Sequence, residues 1–124
     1  MVTVGTDIIE VDRIKRAMQR TSKFREKIFT SSEIKYCSNK ANPEQHFAGR
    51  FAAKEALKKA IMSMHPDLET IPFRIFEIYN APNGKPEVKI LKNSHYQLDE
   101  KYTLEVSISH IKNLAMATAI MEKI

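Results

Sequence analysis

Apolar positions change their period once along the first half of the chain, from strand to helical spacing. Residues 2–9, VTVGTDII, are dominated by β-branched side chains and predict a strand, with Gly5 marking a bend or a close approach. In EVDRIKRAMQR, Val11, Ile14, Ala17 and Met18 recur at helical spacing, so a helix of two to three turns follows, with Arg13, Arg16 and Arg20 on its other face. TSSEIKYC sets hydroxyl N-cap candidates ahead of Glu33 and predicts a short helix. The longest helical signal is NPEQHFAGRFAAKEALKKAIM. There Asn42 suits the cap, Pro43 the first position and Glu44 the positive end of the dipole, while Pro66 lies beyond the end.

Farther on the period falls to two. PFRIFEIYN reads as a strand with few polar positions, buried on both faces for part of its length. APNGKP is a hairpin turn whose Asn-Gly pair suits positive φ angles, and it leads into a second strand, EVKIL. A short helix is expected over residues 93–99. YTLEVSIS and NLAMATAIME then form two closing strands joined at HIKN. Strand, three helices, two strands, short helix, two strands, with no repeat or linker, predict a single α+β domain over residues 1–124. A mostly antiparallel sheet packs on the long helix.

Composition narrows the function classes. With 43% hydrophobic and 28% charged residues the chain reads as a soluble globular protein, and it contains no 18-residue apolar run to span a membrane. Three acids and a glycine interrupt the opening MVTVGTDIIEVDRI where a signal peptide needs a basic segment and a continuous apolar stretch, so a cytoplasmic location is expected. The lone Cys37 fits a reducing compartment and reads as a small buried thiol. The net charge of +5 is concentrated: residues 10–40 hold nine Lys/Arg against four acids, which accounts for the whole excess. Such a patch attracts an anionic partner without saying which.

Three stretches carry candidate chemistry. In the long helix Arg50, Lys54 and Lys58 form one stripe, with Glu55 beside it. Spacing leaves Glu55 open between an exposed pair with Lys59 and half of a site that holds a metal and a phosphate together. Asp7 lies within an apolar strand, where a carboxylate must be hydrogen-bonded, paired or bound to a cation. If that strand adjoins the long helix, Asp7 and Glu55 can share one ion; otherwise Asp7 bonds its own backbone at a strand end. Ser107 and Ser109 share a strand face and His110 ends the strand, which suits either phosphate binding or a plain capped end. No nucleophile elbow, P-loop or zinc spacing occurs, and His46, His65 and His95 receive no role.

Taken together, VGTDIIEVDRI, FAGRFAAKEALKKA, NGKP and VSISH resemble, in the same order, the small bacterial holo-acyl-carrier-protein synthases, the compact class of phosphopantetheinyl transferases. The resemblance implies transfer of 4′-phosphopantetheine from coenzyme A to a serine of apo-acyl carrier protein, with release of adenosine 3′,5′-bisphosphate. It also implies a homotrimer with active sites at subunit interfaces. Asp7 and Glu55 are the implied magnesium ligands, Glu55 and Lys54 the implied catalytic pair. Arg50, Lys58, Ser109, His110 and the turn Asn83, Gly84, Lys85 and Pro86 are implied at coenzyme A. Arg13, Arg20 and Lys23 are implied to dock the acidic carrier protein. Where the family has a Gly-Thr-Gly run after the helix, this chain has the glycine-free AIMSMHPDLET, which predicts a remodelled pocket. An inactive homologue and a small basic nucleic-acid-binding module are the alternatives. The latter lacks any readable groove-reading helix or aromatic platform.

Overall fold

The computed structural model describes residues 1–91 and 101–124. The expected helix at 93–99 therefore lies outside the described residues. The chain opens with β1 (Val2–Glu10), which runs straight into α1 (Val11–Arg20). Then come α2 (Ser22–Ile28), α3 (Ser31–Ser38) and the long α4 (Pro43–Met64). A 3-10 turn at Phe73–Ile75 leads into β2 (Phe76–Asn80) and β3 (Pro86–Ile90), and β4 (Tyr102–His110) and β5 (Leu114–Lys123) complete the fold.

Helix α2 is an element that the periodicity did not predict. Thr21 is extended and its hydroxyl accepts a hydrogen bond from the Lys23 amide (3.2 Å), which breaks α1 and starts a new helix. Lys23 consequently stands on α2, not on the first helix beside Arg13 and Arg20. Helix α3 has the expected cap: Thr30 Oγ1 accepts from the Glu33 amide, and Glu33 Oε1 accepts from the Thr30 amide at 2.8 Å. Asn42 occupies the N-cap position of α4 and Pro43 its first turn, but the Asn42 side chain makes no capping bond.

Among the described residues the strands form two sheets. The larger has the order β1-β5-β4 and the smaller pairs β2 with β3, every ladder antiparallel. The strand expected from residue 72 begins at Phe76, because the preceding residues coil into the 3-10 turn. Phe76 and Ile78 are buried while Tyr79 is exposed, so burial on both faces does not occur. In the β2-β3 loop only Gly84 takes positive φ (+87°), so the connection is a longer loop closed by Ala81 and Lys85, not a two-residue turn.

α4 lies across one face of the larger sheet because both surfaces are made of small residues. Ala52, Ala53, Ala56 and Ala60 of the helix are fully buried, and Ala115, Ala117 and Ala119 of β5 are nearly so. Gly5 permits the closest approach: a Cβ there would lie 2.0 Å from the Ala56 carbonyl oxygen. The Thr3 hydroxyl donates to the Ala60 carbonyl at 2.7 Å, fastening β1 along the helix. Strand alternation then puts Asp7 on the same face as Gly5 and Ile9, toward α4. The opposite face of this sheet carries exposed apolar pairs, Val4 with Ile120 and Ile8 with Met116, around the Thr6–Thr118 pair, while β4 presents polar side chains there.

Candidate active site

Asp7 and Glu55 meet at one cleft. Strand β1 and helix α4, held together by the Gly5 and Thr3 contacts, bring both half-buried acids to a cavity of about 430 Å³. Arg13 and Ile14 of α1 form another wall, and Phe24 and Phe51 close the apolar side. Asp7 Oδ1 lies 3.3 Å from Lys59 Nζ, which also donates to the Thr6 carbonyl at 2.8 Å. Glu55 Oε1 lies 3.9 Å from Lys58 Nζ, whose ammonium sits 4.0 Å above the Phe73 ring. Each acid thus has a lysine beside it. Lys59, named in the sequence only as a pairing option for Glu55, attaches to the other acid.

This donor set fits magnesium. Among the described residues no group of three or more His, Cys, Asp or Glu side chains gathers, so the protein offers no closed cage. Magnesium needs none, since it keeps several waters and takes its remaining oxygens from substrate phosphates.

The cationic stripe read from the helical wheel does not act as one surface. Lys54 is 0% exposed and points inward, donating to the Ile28 carbonyl at 2.8 Å and to Glu33 Oε1 at 2.6 Å. Burial lowers its pKa from the ordinary lysine value, with Glu33 opposing that shift. An ammonium enclosed in this way is not aimed at the acid cleft. Its immediate role is to join α2, α3 and α4, and Glu33 extends the joint to β2 by accepting from the Ile78 amide at 2.8 Å.

Arg50 belongs to a second, smaller cavity of about 190 Å³ between α3, α4 and the β2-β3 loop. Its guanidinium stacks 4.1 Å from the Tyr36 ring centroid and donates to Asn80 Oδ1 at 2.7 Å. Asn80 in turn donates to the Gly84 carbonyl at 2.9 Å, so the loop is tied to the arginine. Arg50 Nε is buried and has no hydrogen-bond partner among the described residues. His110 lines this cavity together with His46, their ring centroids 5.2 Å apart. Gly84 and Pro86 line it as well, whereas Asn83 and Lys85 support the loop. Asn83 Oδ1 accepts from the Lys85 amide at 3.0 Å, and Lys85 Nζ reaches Glu105 at 2.8 Å. That hydrogen bond to Glu105 raises the Lys85 pKa.

Ser109 faces away from this group. Alternation along β4 puts Ser107 and Ser109 on the outer sheet face, and Ser109 lines an apolar hollow with Ile8 and Met116. Arg50 and Glu55 are five residues apart on α4, which on a helix means about 140° around the axis and about 7.5 Å along it. The acid cleft and the Arg50 cavity therefore open on different sides. Nothing in the local spacing of Tyr36, His46 and Asn80 marks them; the fold alone gathers them.

Past α4, residues 65–71 carry no glycine; the His65 amide caps the helix by donating to Ile61 O at 2.8 Å, and Ile71 is buried in the core. No helix among the described residues is long and apolar enough to cross a membrane.

The profile of the 4′-phosphopantetheinyl transferase superfamily matches residues 3–119. The holo-[acyl-carrier-protein] synthase of Clostridium beijerinckii is 41% identical over 125 residues, covering 100% of this chain and 99% of its own length. That of Ruminiclostridium cellulolyticum is 43% identical over 122 residues, covering 95% and 90%. Among solved structures, the ACPS-CoA complex of Chronobacterium ammoniagenes superposes with a TM-score of 0.87 at 22% identity, over 100% of this chain and 98% of that one. The holo-(acyl-carrier-protein) synthase of Bacillus anthracis, solved in complex with CoA (3′,5′-ADP), gives 0.75 at 31% identity over 97% and 95%.

Proposed function

This chain belongs to the 4′-phosphopantetheinyl transferase superfamily, and on that premise we propose that it moves 4′-phosphopantetheine from coenzyme A to a serine of an acidic apo-acyl carrier protein. The observation that carries the reading is the meeting of Asp7 and Glu55 in one cleft beside the basic helix α1. The serine oxygen bonds to the β-phosphorus of coenzyme A. The bond from that phosphorus to the bridging oxygen breaks, and the electron pair leaves on adenosine 3′,5′-bisphosphate.

Asp7 and Glu55 would hold magnesium, which supplies Lewis-acid neutralisation of the pyrophosphate charge. We assign Glu55 to receive the serine proton: of the two half-buried carboxylates in the cleft it is the less tightly paired, with Lys58 at 3.9 Å against 3.3 Å from Lys59 to Asp7. Lys58 and Lys59, each beside one of the acids, are the cations available to the phosphate oxygens in place of the enclosed Lys54. Exposed Arg13 and Arg20 on α1, with Lys23 on α2, would draw the acidic carrier toward the cleft.

Arg50 and His110, on the other side of α4, are assigned to coenzyme A phosphates contributed from a neighbouring subunit. Two observations support a homotrimer with shared sites: the divergence of the two cavities around α4, and the exposed apolar side chains of Val4, Ile8, Met116 and Ile120. A cytoplasmic enzyme that activates carriers for fatty acid biosynthesis is the setting this reading favours.

Mixing subunits tests it. A Glu55→Gln chain and an Arg50→Ala chain, each inactive alone, should regain about one quarter of wild-type activity when co-assembled, because each shared site draws two chains at random. Recovery no greater than the sum of the two separate variants would confine the site to one chain.

A further inference from the structure

The cavity around Arg50 gathers an arginine and two imidazoles, and no carboxylate lines it. Basic groups in a partly closed space without an acid among them suit an anion. The Arg50 Nε, buried at the same place with no partner among the described residues, points the same way. Resting on the transferase reading above, we propose that His46 is a further ligand-binding residue. With His110 it forms an imidazole pair that takes up a proton when a phosphate monoester enters, so the cavity distinguishes the 3′-phosphate of coenzyme A from its absence.

The geometry carries this. His46 stands on the first turns of α4, one turn before Arg50, so the two side chains share a helix face. Its ring lies edge-on to His110 of β4 at 5.2 Å and to Tyr36 of α3 at 6.1 Å. The ionisable groups acting on it are His110 from β4, Lys40 from the segment after α3, and Arg50 from α4 itself. All three are cationic when protonated. Partial burial and this surrounding charge lower the His46 pKa from the ordinary 6.5, so in the free protein the ring is neutral at pH 7.

A dianion placed among these groups reverses the balance. It cancels the repulsion from Arg50 and His110 and favours the imidazolium, so the His46 pKa rises on binding. By linkage, binding then takes up a proton. Affinity strengthens as pH falls from the bound-state pKa toward the lower free-state pKa, and levels off below that. A phosphate monoester has a second charge to contribute near neutral pH, whereas a bridging pyrophosphate oxygen does not. The ligand also titrates, with its second pKa near 6, so the contribution of His46 must be read from a difference between proteins.

Calorimetry on the full-length protein with magnesium supplies that difference. Coenzyme A and 3′-dephospho-coenzyme A would be titrated at pH 6.5, 7.5 and 8.5 in two buffers of unlike ionisation enthalpy. The wild type should take up protons with coenzyme A, and His46→Phe should lose at least half of that uptake. Its affinity should fall about threefold to tenfold at pH 6.5 and stay near wild type at pH 8.5. With the dephospho compound the two proteins should match. Equal uptake in both proteins, or an equal His46 effect with both ligands, overturns the proposal while leaving the transferase reading intact. No coenzyme A binding at any pH overturns both. If His46→Phe does not fold, NMR titration of the wild-type imidazoles decides. The His46 pKa must rise on adding coenzyme A, and an unchanged value refutes the proposal.

Discussion

Replacing Glu33 by alanine tests the central joint of the fold. Its two oxygens accept from the Lys54 ammonium at 2.6 Å, the Thr30 amide at 2.8 Å and the Ile78 amide at 2.8 Å, all buried. Glu33→Ala therefore leaves one enclosed cation and two backbone donors without this partner, and Lys54 keeps only the Ile28 carbonyl. Removing one member of a buried ion pair costs about 3–5 kcal/mol. The orphaned amides overlap with that figure, since relaxation around one relieves the others. Against a total of about 5–15 kcal/mol for a domain, the variant loses about a fifth or more of its stability. Urea unfolding at pH 7, followed by circular dichroism, reads this directly. With a slope of about 2 kcal/mol per molar, the midpoint should fall by about 1.5–2.5 M. Lys54→Met should cost a similar amount, and the double variant Glu33→Met, Lys54→Met less than the sum, because no charge is then left alone. A midpoint shift below about 0.5 M for Glu33→Ala, or lost turnover in Lys54→Met at undiminished stability, would refute the burial argument and return Lys54 to the phosphates.

Three further outcomes follow from other contacts. Gly5→Ala forces β1 away from the Ala56 carbonyl; overpacking of this kind costs about 1–3 kcal/mol, so a thermal melt should fall by about 5–15 °C. Turnover should drop as well because Asp7 moves with the strand, and an unchanged melt would contradict the close approach. Cys37 is fully buried, and desolvation raises its pKa to about 11, so at pH 8 native protein should resist iodoacetamide and react only after unfolding. Rapid native labelling would be the contrary result. Reversing Arg13 and Arg20 to Glu should raise the carrier-protein KM about tenfold with the KM for coenzyme A nearly unchanged, and equal effects on both substrates would remove the docking role.

Legibility in the sequence followed locality. The long helix, the closing strands and the Thr30–Glu33 cap were readable because each rests on spacing or chemistry within one segment. The approach of Asp7 to Glu55 was readable as a condition, that β1 adjoin α4, which the small-residue surfaces then met. The burial of Lys54 is not legible on a wheel, which separates faces only when one of them meets water, and α4 is enclosed on most of its circumference. Its partner Glu33 lies 21 residues earlier, beyond any helical spacing. His46 is silent in the sequence for the same reason, since its partner His110 arrives from a strand at the far end of the chain. Helix α2 was hidden by its length of 7 residues, too short for a period to emerge.

Intact-mass spectrometry of an apo-acyl carrier protein incubated with this protein, coenzyme A and magnesium tests the proposed activity most directly. The account predicts that the carrier gains the mass of one phosphopantetheine arm, and that the gain disappears with chelator and with Asp7→Ala or Glu55→Ala. A carrier mass that never changes, or a gain that survives loss of both acids, would contradict it.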